Sequence, residues 1–392
     1  MSPAAIMWEH HSWESPIRVG GRAFAARFLD EGWSVAWLNG PLAPWNLAGG
    51  NDEVRRRRAC WRQGGVRLRA GSGRLFAYAP LSPFAYRRHP LLDRRWLHRH
   101  ALSLTVPGLM RRLEGEGFGR IDLLWLATGS PLLPLLEKVK FDLSLYRVSD
   151  HAAAFPDTPR SYAKIEEEAL RRVDRVVATA LSLAERASRF NSRVLLLPNG
   201  VDLRRFPILP KRMWPAPAAR IIYLGAIDSW FDTAAVAALA RGLPEAEIVL
   251  AGPNRLGRSW AKELPAVKFQ GPVSAEEVPR ILGESDLGII PFRDTALTRA
   301  IHPVKLYEYF AAGIPVVAAD LEEIRRIASP ALLARNGSEW VDAARSALAG
   351  GRRSEYRAFA ERHDWGTRYA ELMAFLGRPA ALSGRRAREG AS

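Results

Sequence analysis

Short runs that are apolar at every position alternate with segments of helical period along almost the whole chain. In the first half the runs are Ala4–Trp8, Val35–Leu38, Ile121–Ala127, Leu143–Val148, Val176–Thr179 and Val194–Leu197. Between them, Arg18–Asp30 reads as a helix offering Val19, Ala23, Ala26 and Phe28 for burial, with Gly32 to end it, and Pro159–Arg172 is another helical segment. A run without polar alternation predicts a strand covered on both faces. Such strands with helices between them predict βα units around a parallel sheet.

The alternation breaks at the turn Pro198-Asn199-Gly200-Val201-Asp202 and the proline-rich stretch from Pro207 to Pro217, which reads as an interdomain linker. It then restarts. Strands are expected at Ile221–Leu224, Glu247–Ala251, Val267–Gln270, Leu287–Pro291 and Val316–Ala319, with helices at Ala234–Arg241, Ala275–Gly283 and Val304–Ala312. Two more helices, near Ser354–Arg362 and Thr367–Leu376, follow the second set of strands. The fold class is therefore α/β, with two Rossmann-like, doubly wound domains at 1–205 and 206–378. The remainder, 379–392, is a basic tail rich in Ala, Gly and Arg whose composition predicts disorder.

Composition narrows the class. A chain of 392 residues exceeds one ordinary α/β core, and 48% hydrophobic with 25% charged residues fits a globular protein. The single cysteine, Cys60, excludes an internal disulfide and a multi-cysteine metal site. Nothing at the N-terminus resembles a signal peptide and no apolar stretch is long enough to span a bilayer, so the expected location is cytoplasmic. The net charge of +16 is uneven: residues 1–205 carry 32 Lys and Arg against 20 Asp and Glu. Between Arg55 and Arg99 there are thirteen arginines and one acid, Asp93. Such a field attracts a polyanionic partner.

Candidate chemistry concentrates in Pro303-Val304-Lys305-Leu306-Tyr307-Glu308-Tyr309-Phe310-Ala311-Ala312-Gly313-Ile314-Pro315-Val316-Val317. Proline starts a helix here, and Gly313 with Pro315 ends it before a buried strand. Lys305 and Glu308, three apart, project from one face of its first turns. A helix N-terminus favours an anion. A lysine there can neutralise a diphosphate, and a carboxylate one turn on can accept ribose hydroxyls. This segment resembles the donor-binding segment of bacterial glycosyltransferases of the GT-B architecture, in which two Rossmann-like domains face each other across a cleft. The resemblance extends to Tyr223-Leu224-Gly225-Ala226, to Asp286-Leu287-Gly288-Ile289-Ile290-Pro291-Phe292 and to the turn at Pro198–Asp202. It implies a nucleotide-sugar donor held by Gly225, Pro291, Pro303, Lys305, Leu306 and Glu308. Many retaining members carry two glutamates eight positions apart; Glu308 fits the second, while the first position is Ala300.

The N-terminal half supplies another carboxylate. Asp150, in Tyr146-Arg147-Val148-Ser149-Asp150-His151, sits where a strand runs into a loop, and ligands of doubly wound sheets bind at such carboxyl ends. It resembles the general base of inverting enzymes of the xanthan-assembly glucuronosyltransferase type. The loop Glu9–Pro16 and the following Arg18-Val19-Gly20-Gly21 border the acceptor pocket in such enzymes, making His11, Trp13, Arg18 and Gly20 candidate acceptor contacts. Adjacent His10 and His11 do not converge on one ion, and no Asp-x-Asp motif occurs, so neither a metal nor another cofactor is expected.

The Arg55–Arg99 segment includes Trp61, Phe76, Tyr78, Phe84, Tyr86 and Trp96. Arginine mixed with Leu and Trp suits an anionic membrane surface, with Arg87, Arg88, Arg94, Arg95 and Trp96 as docking residues. The same composition also fits RNA binding, or a solvated or core-facing segment; with no recognised RNA module around it, nucleic acid is the weaker reading. The expectation is an inverting, metal-independent transfer from a UDP-sugar to a saccharide or polyprenyl-linked acceptor, on the inner face of the cytoplasmic membrane. The rivals are a retaining transferase, a nucleotide-sugar epimerase and a non-catalytic binding protein.

Overall fold

The structure, a computed structural model, describes residues 2–17, 20–83, 88–89, 92–155, 158–207, 218–350 and 354–377. They form two compact units, one comprising Met1–Pro198 with the segment from Tyr369 onward, the other Asn199–Arg368. The division thus falls at Pro198, not after residue 205, and the chain returns to the first unit at its end. Most of the expected linker (208–217), the tail 379–392, Arg18 and Arg87 lie outside the described residues.

In the first unit the strands are β1 (Ala4–Glu9), β2 (Ser34–Asn39), β3 (Val66–Ala70), β4 (Gly73–Tyr78), β5 (Ile121–Ala127), β6 (Phe141–Val148), β7 (Arg175–Ala178) and β8 (Val194–Leu196). They make one sheet in the order β3-β4-β2-β1-β5-β6-β7-β8, parallel except for the β3/β4 hairpin. Every residue of β1 and β2 is buried, as the unbroken apolar runs require. Helix Gly20–Asp30 packs Phe24, Ala25, Phe28 and Leu29 inward, and Phe28 lies 4.8 Å from the Trp33 ring and Phe24 5.3 Å from Trp125. Large apolar side chains buried this way stabilise by about 1.5–3 kcal/mol each. The part of helix Trp365–Leu376 from Tyr369 onward closes the unit: the Tyr369 hydroxyl donates to Glu31 at 2.7 Å, its ring lies 5.5 Å from Phe28, and Leu372 is fully buried.

The basic segment is built into the first unit. Its first part is helix Asp52–Arg62, capped by the Asn51 side chain, and the β3/β4 hairpin then extends the sheet, with Phe76 and Tyr78 buried in the core. Arg67 and Arg69 occupy exposed positions of β3, an edge strand, where charge blocks pairing with another chain.

The second unit's strands are β9 (Arg220–Leu224), β10 (Glu247–Ala251), β11 (Val267–Gly271), β12 (Leu287–Ile290), β13 (Val316–Ala319) and β14 (Leu332–Ala334), all parallel, in the order β11-β10-β9-β12-β13-β14. Crossovers run outward from β9 on one side and β12 on the other, so the order reverses between them. In the first unit the reversal falls between β1 and β5. Crevices outside the carboxyl ends at such reversals are where open α/β sheets bind ligands.

Candidate functional site

In the second unit, the reversal point gathers the loop after β9, the loop after β12 and helix Val304–Ala311. Pro303 is the N-cap and supplies no capping side chain. Lys305 and Glu308 leave this helix on one side, while Leu306, Tyr307, Tyr309 and Phe310 enter the core from the others. Leu306 is fully buried and its N–H donates to Pro303 O at 3.2 Å, so its side chain packs in the core. Pro291, after β12, is buried and its carbonyl accepts from Asp232 N at 2.8 Å.

Lys305 Nζ sits 4.0 Å from the Tyr223 ring centroid and 5.1 Å from that of Phe292. Among the described residues no hydrogen-bond acceptor faces it. Burial lowers its pKa to about 7, against a smaller opposing effect of Glu308. Gly225 has φ +136°, a conformation that favours glycine, and a Cβ there would lie 2.6 Å from Nζ, so a larger residue would displace the lysine. Glu308 does not pair with Lys305. Its neighbour is Arg205, with Nη1 3.7 Å from Oε1. Burial pushes the Glu308 carboxyl up, opposed by Arg205 and then Lys305. His302, one residue before the helix cap, is buried between Glu323 Oε1 (3.2 Å from Nδ1) and the Tyr307 hydroxyl (2.5 Å from Nε2). Its carbonyl accepts from Asn199 Nδ2 at 2.8 Å, which fixes the segment that starts the helix.

In the first unit, Asp150 follows β6. Ser149 ties that loop to its neighbours: its N–H donates to Thr128 Oγ1 at 3.1 Å, its carbonyl accepts from Thr179 Oγ1 at 3.1 Å, and its hydroxyl donates to Asp150 Oδ2 at 3.0 Å. Burial raises the Asp150 pKa, while the Ser149 hydrogen bond, Arg147 and His10 oppose the rise. His10, the residue beside the predicted His11, is thus near enough for its charge to act on the carboxylate. His11 has its Nδ1 enclosed without a partner and its pKa is lowered to about 4, by burial first and then by His10. The loop is pinned through its backbone: Asn39 Nδ2 and Trp37 Nε1 donate to the His11 carbonyl at 2.7 and 3.0 Å, and Glu53 accepts from Ser12 N at 2.6 Å. Trp13 packs 5.3 Å from Trp37, under Arg22 at 4.5 Å.

Gly20 and Gly21 begin the buried helix start, and the close approach expected there is made by the chain itself: a Cβ on Gly21 would meet Glu9 Oε1 at 1.9 Å. Glu9, 3% exposed, accepts from Trp125 Nε1 at 2.8 Å, and burial raises its pKa to about 7, opposed by Arg147 and this hydrogen bond. Arg88, Arg94, Arg95 and Trp96 are exposed, although Arg95 is paired with Glu168 at 2.5 Å. Asn39, Glu53 and Arg205 were missed by sequence reasoning, and no signal in the sequence marked them. Glu9, Tyr223 and Phe292 lie inside the quoted segments but were not named as site residues.

Residues 219–349, which hold Gly225, Pro291, Lys305 and Glu308, match the family model described as Glycosyl transferases group 1. This part of the chain is a group 1 glycosyltransferase domain, and the protein is a glycosyltransferase. This glycosyltransferase is 24% identical over 312 residues to TuaH of Bacillus subtilis (strain 168), a glycosyltransferase named for teichuronic acid biosynthesis, covering 71% of the chain and 77% of TuaH. Its fold resembles sucrose-phosphate synthase from Thermosynechococcus elongatus, with TM-score 0.69 at 16% identity and full coverage of both chains. It also resembles HepE of Anabaena, solved with UDP and glucose, with TM-score 0.62 at 15% identity over 95% of this chain and 99% of that one. The fold is that of GT-B glycosyltransferases.

Proposed function

We propose that this glycosyltransferase moves a sugar from a nucleoside-diphosphate donor, a UDP-sugar, to a lipid-linked or polysaccharide acceptor with inversion of configuration. The observation that carries the reading is the uncompensated Lys305 ammonium at the uncapped start of helix Val304–Ala311, with Glu308 one turn on. A diphosphate offers that ammonium the acceptors the protein withholds, and the helix N–H groups add to the attraction. Glu308 receives the ribose hydroxyls. Asp150 takes the proton of the attacking acceptor hydroxyl, and raised basicity from burial suits that task. The departing diphosphate is stabilised by Lys305 and the helix N-terminus.

An inverting outcome is supported by Ala300, which stands where many retaining relatives carry their first glutamate. The absence of an Asp-x-Asp motif supports a metal-independent transfer, so a chelator should leave turnover unchanged. A cell-surface acceptor agrees with the name of TuaH. Location at the inner face of the cytoplasmic membrane agrees with exposed Arg88, Arg94 and Trp96; no described helix is long and apolar enough to cross a membrane.

The test is a thermal-shift screen of nucleotide sugars, since a ligand that binds the folded state raises stability by RT ln(1 + [L]/Kd). UDP-sugars should rank first, and the anomeric configuration of the product should be opposite to that of the donor. Failure of every nucleoside diphosphate to stabilise the protein would remove the donor reading. Donor consumption without acceptor would replace transfer with epimerisation.

A further inference from the structure

The turn Pro198–Asp202 has a role that the donor contacts alone do not explain: it aims Arg205. Val201 N donates to His363 O at 3.1 Å and Val201 O accepts from Trp365 N at 3.0 Å, while Leu203 N donates to Asp364 Oδ2 at 3.3 Å. Gly200 is needed because a Cβ would meet His363 O at 2.7 Å. Asp202 caps the single turn Leu203–Arg205 by accepting from Arg204 N, and it also takes the Arg204 guanidinium at 2.9 and 3.1 Å on the surface. Arg205 turns the other way. Its Nη2 donates to Ala275 O, which anchors the guanidinium, and Nη1 lies 3.7 Å from Glu308 Oε1. Both side chains are 20% exposed, so the pair is shielded on most sides.

Lys305, on the same helix as Glu308, would be the ordinary i,i+3 partner of that carboxylate. Instead Nζ rests on Tyr223. We propose that Arg205 is a positioning residue of the donor site, acting through Glu308: it holds the carboxylate away from Lys305, so that the acceptor of ribose hydroxyls and the cation for the diphosphate remain separate. The proposal rests on the reading of Lys305 and Glu308 as donor contacts. Without Arg205, Lys305 is the cationic neighbour that Glu308 retains among the described residues. The two would close on each other, removing the hydroxyl acceptor and neutralising the diphosphate cation together.

The experiment is calorimetry with the nucleoside diphosphate that wild type binds most tightly among UDP, GDP, ADP and TDP, using Arg205→Met, Arg205→Lys, Glu308→Gln and the double variant Arg205→Met/Glu308→Gln. Arg205→Met should weaken binding about tenfold, the scale of a hydrogen bond to a charged group. The double variant should bind no more weakly than Glu308→Gln, because both changes remove one coupled interaction. Arg205→Lys should recover most of the affinity, and it keeps the test valid if the methionine variant does not fold. Additive losses in the double variant would show that Arg205 acts independently of Glu308 and would overturn the proposal, as would wild-type affinity in Arg205→Met. If wild type binds none of the four nucleotides, the donor reading itself fails; binding with additive losses defeats this inference alone.

Discussion

Lys305 is an ammonium group faced by aromatic rings instead of acceptors, and this makes its charge a variable. With its pKa lowered to about 7 by burial, the free protein holds it largely neutral above that pH. A bound diphosphate favours the charged form, so binding above pH 7 takes up a proton and must weaken as pH rises, by at most about tenfold per unit for one proton, and level off below about pH 6. Calorimetry of UDP binding from pH 6 to 9, in two buffers of different protonation heat, would measure that uptake; pH-independent affinity would contradict it. Lys305→Ala should weaken UDP binding by about 1.5–3 kcal/mol at pH 6.5 and flatten the profile. Asp150→Asn should lower turnover by roughly 10²–10⁴ while leaving donor affinity in place, as measured by steady-state kinetics and calorimetry. The helix that carries Lys305 and Glu308 was legible because its start, the cation and the carboxylate fall in one short stretch of sequence. Arg205 was not, because its role comes from a contact across 103 positions with Glu308. Nor was the inward turn of Leu306, which depends on which side of the helix meets the sheet.

Among the elements, the buried parallel strands were read almost to the residue: Ile121–Ala127, Glu247–Ala251 and Val316–Ala319 coincide with the structure. A strand covered on both faces writes its burial into every position. The β3/β4 hairpin was invisible for the opposite reason. An edge strand needs polar side chains, and its arginines read as a surface patch rather than as part of a sheet. The turn after β9 is where an element is least tolerant of change. Gly225→Ala must adopt a strained positive φ and displace Lys305, so it should cost about 1–3 kcal/mol of stability and weaken UDP binding as well. Thermal unfolding with and without UDP separates the two effects. Unchanged midpoints in both conditions would show that the loop relaxes freely.

For the whole molecule, the placement of the arginines decides what the charge of +16 can do. Phe76 and Tyr78 are core residues and cannot enter a bilayer, and Arg95 is shared with Glu168; the proposed membrane docking therefore rests on fewer exposed residues, Arg88, Arg94 and the 60% exposed Trp96. Each basic residue near an anionic surface contributes about 1 kcal/mol, so Arg88→Gln with Arg94→Gln should weaken vesicle binding by about 2 kcal/mol, and 1 M salt should weaken the wild type. Co-sedimentation with vesicles containing or lacking anionic lipid checks this; equal partitioning of variant and wild type would remove the membrane reading, as would preference for RNA. The return of the chain at Tyr369 has a consequence for synthesis. Phe28 and Glu31 receive their last partners only when helix Trp365–Leu376 leaves the ribosome. The second unit, Asn199–Arg368, is contiguous and can be finished first. At about 5–20 residues per second, the amino-terminal sheet waits roughly 10–40 s for its closing helix. The half of the protein that is made first is the half completed last.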